Sequence, residues 1–352
     1  MVTRGSSKWR SKWPGDGGRL RLSRRMLLAP AFAVFLRAQK PEISSFDLSL
    51  LEHWATPSEL FFVREHFPRP HVSAAGWKLS LAGAVATPLE MSYEEIAAQP
   101  RKALPVTLEC AENPPGGGLV SHAEWAGVSL ASLLEKAQPR PEARFVRLSG
   151  ADSFARSLPL AKAMHPDTLV AFQMNGERLP EQHGFPLRAV IPGWYGMDSV
   201  KWLRGMEVLA DEDPAQGYVR QVRSLLAGTR PAGRVTAITV KSAFARPADG
   251  AILTQRRFVL RGAAWAGENR VQQVEVSTDG EKSWQPARLG SEPLPYCWVH
   301  WSREWKIPGR GNYSLSVRAT DERGTQQPQD RPADRADGYE LNAWHRIQVT
   351  VR

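Results

Sequence analysis

Residues 230–352 carry the pattern that most constrains the fold of this chain. Short apolar stretches of strand length follow one another there, and Asp279-Gly280 is a typical hairpin turn between two of them. No helical periodicity interrupts them. About seven such strands in roughly 120 residues predict an immunoglobulin-like sandwich. The predicted strands are 234–243, 258–264, 271–277, 283–288, 296–301, 313–319 and 347–351.

The preceding segment, residues 39–229, mixes short helices with short strands and lacks a regular βαβ alternation. Ser92 followed by Glu95 is a capping-box pattern at the start of one helix. This mixture predicts an α+β domain, and Arg230-Pro231-Ala232-Gly233 marks its boundary with the second domain. The predicted strands are 77–85, 104–110, 145–149, 170–174 and 187–191, and the predicted helices are 91–99, 129–137 and 157–164.

Most of the positive charge lies in residues 1–38. The chain has 352 residues and a net charge of +10, and this segment holds nine lysines and arginines but one acidic residue. Arg24-Arg25 precedes an apolar run, 27–36, which is shorter than the roughly 20 residues of a membrane span. We expect a twin-arginine-type signal peptide and a periplasmic protein, the alternative being a basic amphipathic start or a misassigned start codon. Because the remainder is nearly neutral, no nucleic-acid partner is expected.

The two cysteines exclude a disulfide framework. Cys297 lies in an apolar run and is typical of a small buried side chain. Cys110 stands at the end of a predicted strand, before a Pro-Pro-Gly-Gly-Gly loop at 114–118. The sequence contains no dinucleotide fingerprint, phosphate-binding loop, His-Glu-x-x-His or covalent haem motif. A candidate active site therefore has to be sought in clusters of polar residues, one of which contains Cys110.

Three such clusters occur in the first domain, and each has an ordinary structural interpretation when it is taken alone. A solvated turn, a packed thiol and an ordered loop would explain them. Together, and in order, they resemble the sulfite oxidase family of molybdenum enzymes. The matching stretches are Phe62-Val63-Arg64-Glu65-His66, Leu108-Glu109-Cys110-Ala111-Glu112-Asn113, Met174-Asn175-Gly176 through His183-Gly184-Phe185-Pro186-Leu187-Arg188, and Asn342-Ala343-Trp344-His345-Arg346 in the second domain.

The resemblance implies a Mo-molybdopterin cofactor, with one molybdenum on one pterin and Cys110 as the thiolate ligand of the metal. Beside the ion this thiol would be deprotonated. The pterin ends in a phosphate and needs fixed cationic and imidazole partners. The resemblance also implies that the second domain forms a homodimer. The matching cofactor-binding positions are Phe62, Val63, Arg64, Glu65, His66, Asp152, His183, Arg188, Ser199, Val200 and Lys201.

The loop after Cys110 departs from the family pattern. Where the family has an arginine that contacts sulfite, this chain has Glu112-Asn113-Pro114-Pro115-Gly116. Arg64 and Arg346 are then the candidate anion contacts. Tyr218 is the candidate active-site tyrosine, with Tyr195 as the alternative. At about 4 Å and an effective dielectric of 20, Glu112 would cost a bound sulfite on the order of 4 kcal/mol unless it points away.

The leading functional prediction is oxidation of sulfite to sulfate by oxygen-atom transfer. No haem-binding segment precedes the first domain, so no haem is expected and the electrons would pass to a separate carrier such as a c-type cytochrome. One alternative is a molybdenum reductase of an S-oxide, N-oxide or nitrate, which the missing arginine favours. Another is an exported, non-enzymatic binding protein in which Cys110 is a plain buried thiol.

Overall fold

The computed structural model describes residues 40–213, 235–331 and 338–352. The predicted signal peptide and the predicted domain boundary at 229/230 lie outside these ranges. Among the residues that the structure describes, none of the helices is long and apolar enough to cross a membrane.

Residues 40–213 form twelve strands and three short α-helices, together with single turns of 3-10 helix at Leu48–Leu50, Glu181–His183 and Gly196–Asp198. The strands are β1 (Ile43–Ser44), β2 (Val63–Arg64), β3 (Lys78–Gly83), β4 (Leu89–Ser92), β5 (Lys102–Glu109), β6 (Val120–Ser129), β7 (Phe145–Gly150), β8 (Ala155–Pro159), β9 (Leu169–Met174), β10 (Glu177–Arg178), β11 (Arg188–Val190) and β12 (Leu203–Leu209). The helices are α1 (Tyr93–Ala97), α2 (Leu130–Ala137) and α3 (Leu160–Ala163).

Two sheets organise this part of the chain. One has the order β4-β3-β12-β7-β8, with β12 parallel to β3 and antiparallel to β7. The other has the order β10-β9-β6-β5, and β11 also pairs with β9. Alternation explains β3, in which Leu79 and Leu81 are buried while Lys78 and Ser80 are exposed. A shared apolar core joins both sheets to α2, and the domain is mostly β with few helices rather than an even α+β mixture.

The predicted capping box of α1 is confirmed, because Ser92 Oγ accepts from the Glu95 amide at 3.2 Å and a Glu95 carboxylate oxygen accepts from the Ser92 amide at 2.7 Å. The predicted helix over 157–164 is wrong in its first half. Residues 155–159 form β8 because they pair with β7 and bury Leu158, which leaves only α3 helical.

Residues 235–331 and 338–352 form nine described strands and share one core between two sheets. These nine strands are β13 (Lys241–Arg246), β14 (Ala251–Leu253), β15 (Arg257–Trp265), β16 (Val271–Ser277), β17 (Gln285–Pro286), β18 (Arg288–Leu289), β19 (Val299–Lys306), β20 (Gly311–Asp321) and β21 (His345–Val351). The sheet orders are β13-β15-β19-β18 and β14-β21-β20-β16-β17.

The strand predicted at 234–243 begins too early in the sequence. Residues just before β13 contact the first domain instead of extending the sandwich: Ala237 bridges to Trp194, and the Ile238 amide donates to the Gly193 carbonyl at 2.8 Å. Their apolar character therefore reflects burial between the two domains. The two-sheet arrangement agrees with a sandwich, and its immunoglobulin-like character stays a prediction.

Candidate active site

A cavity, here called the inner cavity, lies where β2, the end of β5 and the 182–201 segment meet. Ten of the eleven predicted cofactor-binding residues line it, as does Cys110. Val63 is the exception, because its side chain is buried in the core. The lining comprises Phe61, Phe62, Arg64, Glu65, His66, Leu108, Cys110, Asp152, Phe154, Gln182, His183, Arg188, Gly196, Met197, Ser199, Val200 and Lys201.

Arg188 is a buried cation in this wall, only 5 % exposed. Its Nη1 donates to the His183 carbonyl at 2.9 Å, its Nη2 donates to the Ser199 carbonyl at 3.2 Å, and its Nε has no hydrogen-bond partner among the described residues. The guanidinium lies 4.6 Å from the ring centroid of Trp125. Burial lowers the pKa of Arg188 to about 9. A buried guanidinium held by carbonyls alone suits an anionic ligand.

Lys201 is a second buried cation of the inner cavity. Its Nζ donates to the Gln182 carbonyl at 3.0 Å and lies 3.6 Å from a Glu65 carboxylate oxygen. That Glu65 carboxylate also accepts from Arg69 at 2.9 Å, so it is shared between two cations. Burial lowers the pKa of Lys201 to about 7, against the opposing effect of Glu65. Asp152 lines the same cavity, and burial raises the pKa of its carboxyl.

Two histidines of the inner cavity are neutral at pH 7. Burial, followed by the nearby Arg64 charge, lowers the pKa of His66 to about 4, and its ring stacks on Phe154 at 4.7 Å. Burial lowers the pKa of His183 to about 3. Because its Nε2 lies 2.8 Å from the Ser58 carbonyl, we assign the proton to Nε2. Both side chains therefore offer hydrogen bonds rather than charge.

Cys110 follows β5 directly and begins a tight turn. Its amide donates to the Leu119 carbonyl at 2.9 Å, and its own carbonyl accepts from the Asn113 amide at 2.9 Å. Burial raises the pKa of the Cys110 thiol to about 11. A bound metal cation would reverse this preference and favour the thiolate.

These residues fit a molybdopterin. Among the described residues, no group of three or more His, Cys, Asp or Glu could hold a metal ion unaided. A metal beside Cys110 would thus need ligands from a cofactor, as the dithiolene of the pterin provides. The unpartnered Nε of Arg188, with Lys201 in the same wall, fits the phosphate of such a cofactor.

An outer cavity of about 450 Å³ shares Cys110, Arg64 and His66 with the inner one. Each of its arginines lies beside a carboxylate: Arg64 with Glu112 at 3.1 Å, Arg147 with Asp213 at 2.9 Å, and Arg156 with Asp198 at 2.9 Å. Glu112 therefore faces this cavity, with Arg64 as its counter-ion. The lining comprises Arg64, His66, Phe67, Cys110, Ala111, Glu112, Arg147, Ser153, Phe154, Ala155, Arg156, Met197, Asp213 and Tyr339.

Two described candidates for anion or catalytic contacts, Arg346 and Tyr195, line neither cavity. Arg346 lies in β21 and lines neither of them, because its Nε contacts Glu281 at 2.5 Å and its Nη1 contacts Asp330 at 3.2 Å. The structure therefore does not bring Arg346 to the cavities that contain Cys110. Tyr218 lies outside the described residues. The alternative, Tyr195, is buried beside Thr239 at 3.2 Å and also lines neither cavity.

The sequence interpretation missed Arg147 and Arg156. Both lie on the edge pair β7-β8, and the only available signal was a charged residue within a stretch of otherwise apolar strand character. Arg156 is buried and needs Asp198, 42 residues away, as its partner. Such a pair cannot be inferred from local pattern.

Comparisons with known proteins agree with this site. Residues 66–218 match the oxidoreductase molybdopterin-binding domain family, and residues 233–352 match the Mo-co oxidoreductase dimerisation domain family. The sulfite oxidase of Gallus gallus is 32 % identical over 88 % of this chain and 76 % of its own length. The mitochondrial sulfite oxidase of Mus musculus is also 32 % identical, over 91 % of this chain and 66 % of its own. The chain thus spans slightly less than two thirds of the mouse enzyme.

A solved structure supports the same assignment. The sulfane dehydrogenase SoxCD from Paracoccus pantotrophus superposes with a TM-score of 0.81 and 29 % identity, covering 90 % of this chain and 87 % of that one. The chain therefore belongs to the sulfite oxidase family of molybdopterin-dependent oxidoreductases. A nitrate reductase from Solanum lycopersicum is 30 % identical over 90 % of this chain and 41 % of its own length.

Proposed function

We propose that this protein is a Mo-molybdopterin oxidoreductase that adds an oxygen atom to a small sulfur oxyanion, with sulfite as the leading substrate. The observation that carries the proposal is the position of Cys110, which lines both the inner cavity and the outer cavity. A cofactor held in the inner cavity would present its metal at Cys110, and a substrate in the outer cavity would meet it there. When bound, the cofactor supplies two-electron oxygen-atom transfer.

The residues of the inner cavity hold and orient the cofactor. Arg188 and Lys201 supply fixed positive charge, and neutral His183 supplies a directed hydrogen bond. Phe61 and Phe62 stack with ring centroids 5.3 Å apart and exclude water from one side. Burial strengthens each of these polar contacts because the local dielectric is low.

The residues of the outer cavity select the substrate. Arg64 lines both cavities and is the predicted anion contact that lies beside Cys110. Its pairing with Glu112 means that an anion must compete with a carboxylate already beside it. Because Glu112 already accepts from Arg64 Nη2, a sulfite ion that binds there would have to displace this carboxylate, which weakens affinity for dianions.

The test is direct. Protein from a host that makes molybdopterin should contain molybdenum and pterin in equal amounts and should reduce ferricyanide with sulfite. Cys110→Ser should keep the fold and the pterin but lose turnover, because serine provides no soft thiolate. Molybdenum-loaded protein without sulfite turnover would reject this substrate, and protein that takes up no molybdenum would reject the proposal itself.

A reductase of an S-oxide, N-oxide or nitrate is a second candidate. For the uncharged S-oxides and N-oxides it is favoured by the charge balance of the outer cavity, where an uncharged oxide would meet no uncompensated charge; nitrate, an anion, gains nothing from this balance. The similarity to a plant nitrate reductase adds to it. Turnover with a reduced viologen and a panel of oxides, without sulfite oxidation, would support this direction.

We further propose that the protein is exported to the periplasm by the twin-arginine route and forms a homodimer through its second domain. Two electrons would leave to a separate carrier, such as a c-type cytochrome. The dimerisation-domain match supports the homodimer. Cell fractionation tests the location, light scattering tests the dimer, and a cytochrome-reduction assay tests the carrier. Full-length protein confined to the cytoplasm would contradict the export.

A further inference from the structure

Glu109, the residue directly before Cys110, is the centre of a buried polar network. Its side chain is fully buried, and Cys110 follows it at the point where β5 gives way to the turn. One carboxylate oxygen accepts from Lys241 Nζ at 2.5 Å and from the Asn113 side-chain amide at 3.0 Å. The other accepts from the indole N–H of Trp265 at 2.8 Å. The carboxylate thus accepts from one charged donor and two neutral donors.

Two of these donors come from the second domain. Lys241 begins β13 and Trp265 ends β15, and the two residues are directly opposite one another in the antiparallel register. Opposed residues of such a pair project to the same face of the sheet, so one cross-strand pair delivers both donors to the same carboxylate. Lys241 is 1 % exposed, and its Nζ also donates to the Asn113 carbonyl at 2.9 Å.

The same turn is held by the second domain on its other side. A Cβ at Gly116 would lie 2.2 Å from the Nε2 of His345, so the loop packs directly against that ring. The Ala111 carbonyl accepts from the Glu340 amide at 2.9 Å. Inside the turn, the Asn113 side chain accepts from the Leu119 amide at 2.9 Å. The backbone around Cys110 is therefore fixed by local hydrogen bonds to Asn113 and Leu119 together with contacts from residues more than 100 positions away.

We propose that Lys241 and Trp265 are positioning residues for Cys110, so that the second domain orients the metal-ligating thiol in addition to its match as a dimerisation domain. This inference rests on the proposed function, since it takes Cys110 as the ligand. A buried ion pair is a weak source of net stability, because desolvation of both charges offsets their attraction. Its value here is geometric: the pair, with Asn113, ties the residue before Cys110 to the turn after it.

The main test replaces both charges, because Lys241→Met alone would leave Glu109 buried and unpaired and could prevent folding. The double variant Lys241→Met with Glu109→Gln removes the ion pair without leaving a charge behind. A matched control is Lys162→Met with Glu268→Gln, which removes another ion pair between the two domains, at 2.6 Å. Neither control residue lines a cavity that contains Cys110.

The first readout needs no cofactor. In full-length protein made without molybdopterin, iodoacetamide labelling of Cys110 is followed by peptide mass spectrometry, with buried Cys297 as the internal reference. We expect the double variant to label Cys110 at least about tenfold faster than the wild type, because the turn opens locally more often. Cys297 should be unchanged, and the control variant should match the wild type at both cysteines.

The second readout is the thiolate-to-metal charge-transfer absorption of the loaded protein, which reports the geometry at the ligand. It should shift in the double variant and not in the control. A double variant with wild-type labelling and an unshifted band would overturn the proposal. So would equal effects in the control pair, which would indicate general loosening between domains. Trp265→Phe, which keeps an aromatic ring and loses one hydrogen bond, should change both readouts less but in the same direction.

The two proposals can fail separately. Wild-type protein that takes up no molybdenum would end the proposed function, while the labelling comparison would still decide whether the second domain positions Cys110.

Discussion

The inner and outer cavities meet at Cys110 but treat positive charge in opposite ways. In the inner cavity Arg188 is buried, with carbonyls as its only acceptors among the described residues, and Lys201 has a carboxylate that it shares with another cation. In the outer cavity each arginine lies beside its own carboxylate. Arg188 is thus left for a ligand of the inner cavity, whereas Arg64, which lines both cavities, and the other arginines of the outer cavity are balanced by carboxylates.

The difference separates the two ligands that such an enzyme must bind. A permanently bound cofactor with a phosphate can offset the desolvation cost of a buried guanidinium, because it stays in place and accepts charge-assisted hydrogen bonds. A substrate must enter and leave, and balanced arginines hold it less tightly. Glu112 is therefore the outer-cavity residue that most directly opposes an anion beside Arg64.

The largest expected effect comes from removing the Arg188 charge from the inner cavity. Arg188→Met should lower the cofactor content of purified protein at least about tenfold, because losing a buried charge-assisted contact costs a few kcal/mol. The cofactor-free protein should be as stable as wild type or more so, since a buried cation without a carboxylate partner is removed. Molybdenum analysis and thermal unfolding measure the two effects. Arg204→Met, at an exposed position of β12, should change neither.

A smaller effect is expected when the carboxylate that balances Arg64 in the outer cavity is neutralised. Glu112→Gln should strengthen inhibition by sulfate, and the affinity for sulfite, by roughly threefold to tenfold, because Arg64 loses its carboxylate and Glu112 is partly solvent-screened. Raising the ionic strength should reduce the gain. Glu52→Gln breaks an exposed pair with Arg246 at 2.9 Å, outside both cavities, and is the matched control. An unchanged inhibition constant in Glu112→Gln would show that Arg64 does not contact the anion.

The pH dependence of stability tests the buried state of Lys201 in the inner cavity. The pKa of Lys201 is about 7 in the folded, cofactor-free protein, below its ordinary value of 10.5. Between these two values the unfolded chain binds the extra proton, so stability rises with pH through this window. We expect the melting temperature of cofactor-free protein to rise by a few degrees more between pH 7 and 9 than that of Lys201→Met. Equal pH profiles for the two proteins would contradict the buried, ligand-free state of Lys201.

The smallest effect is expected at the rim of the outer cavity. Asp213→Asn removes the nearer of the two carboxylates beside Arg147 and leaves Glu207 at 3.6 Å. The Arg147 side chain is 37 % exposed compared with 19 % for Arg64. Solvent screens this more exposed cation, so sulfate inhibition should strengthen only about twofold. An effect larger than that of Glu112→Gln would reverse the roles assigned to Arg64 and Arg147.

Much of the site could be predicted because its residues lie in short, recognisable stretches. Cys110, Arg188 and the capping box of Ser92 depend on neighbours a few positions away, and the structure brings the first two to one cavity. Val63 shows the limit of this reasoning: it lies within a matching stretch, yet strand alternation turns its side chain into the core. Arg346 shows it again, because matching a motif says nothing about the direction of a side chain in β21.

The sequence alone predicted the strand-rich character of the second half, the cofactor to expect and the thiol that would hold its metal, since periodicity and motifs are local properties of the chain; it overestimated the helical share of the first half. The tertiary structure decided which cations are balanced and what holds the thiol in place. Glu112 meets Arg64 across 48 residues, and Lys241 meets Glu109 across 132. Pairing over such separations depends on how strands are arranged in sheets and how the two domains pack, which no local pattern encodes.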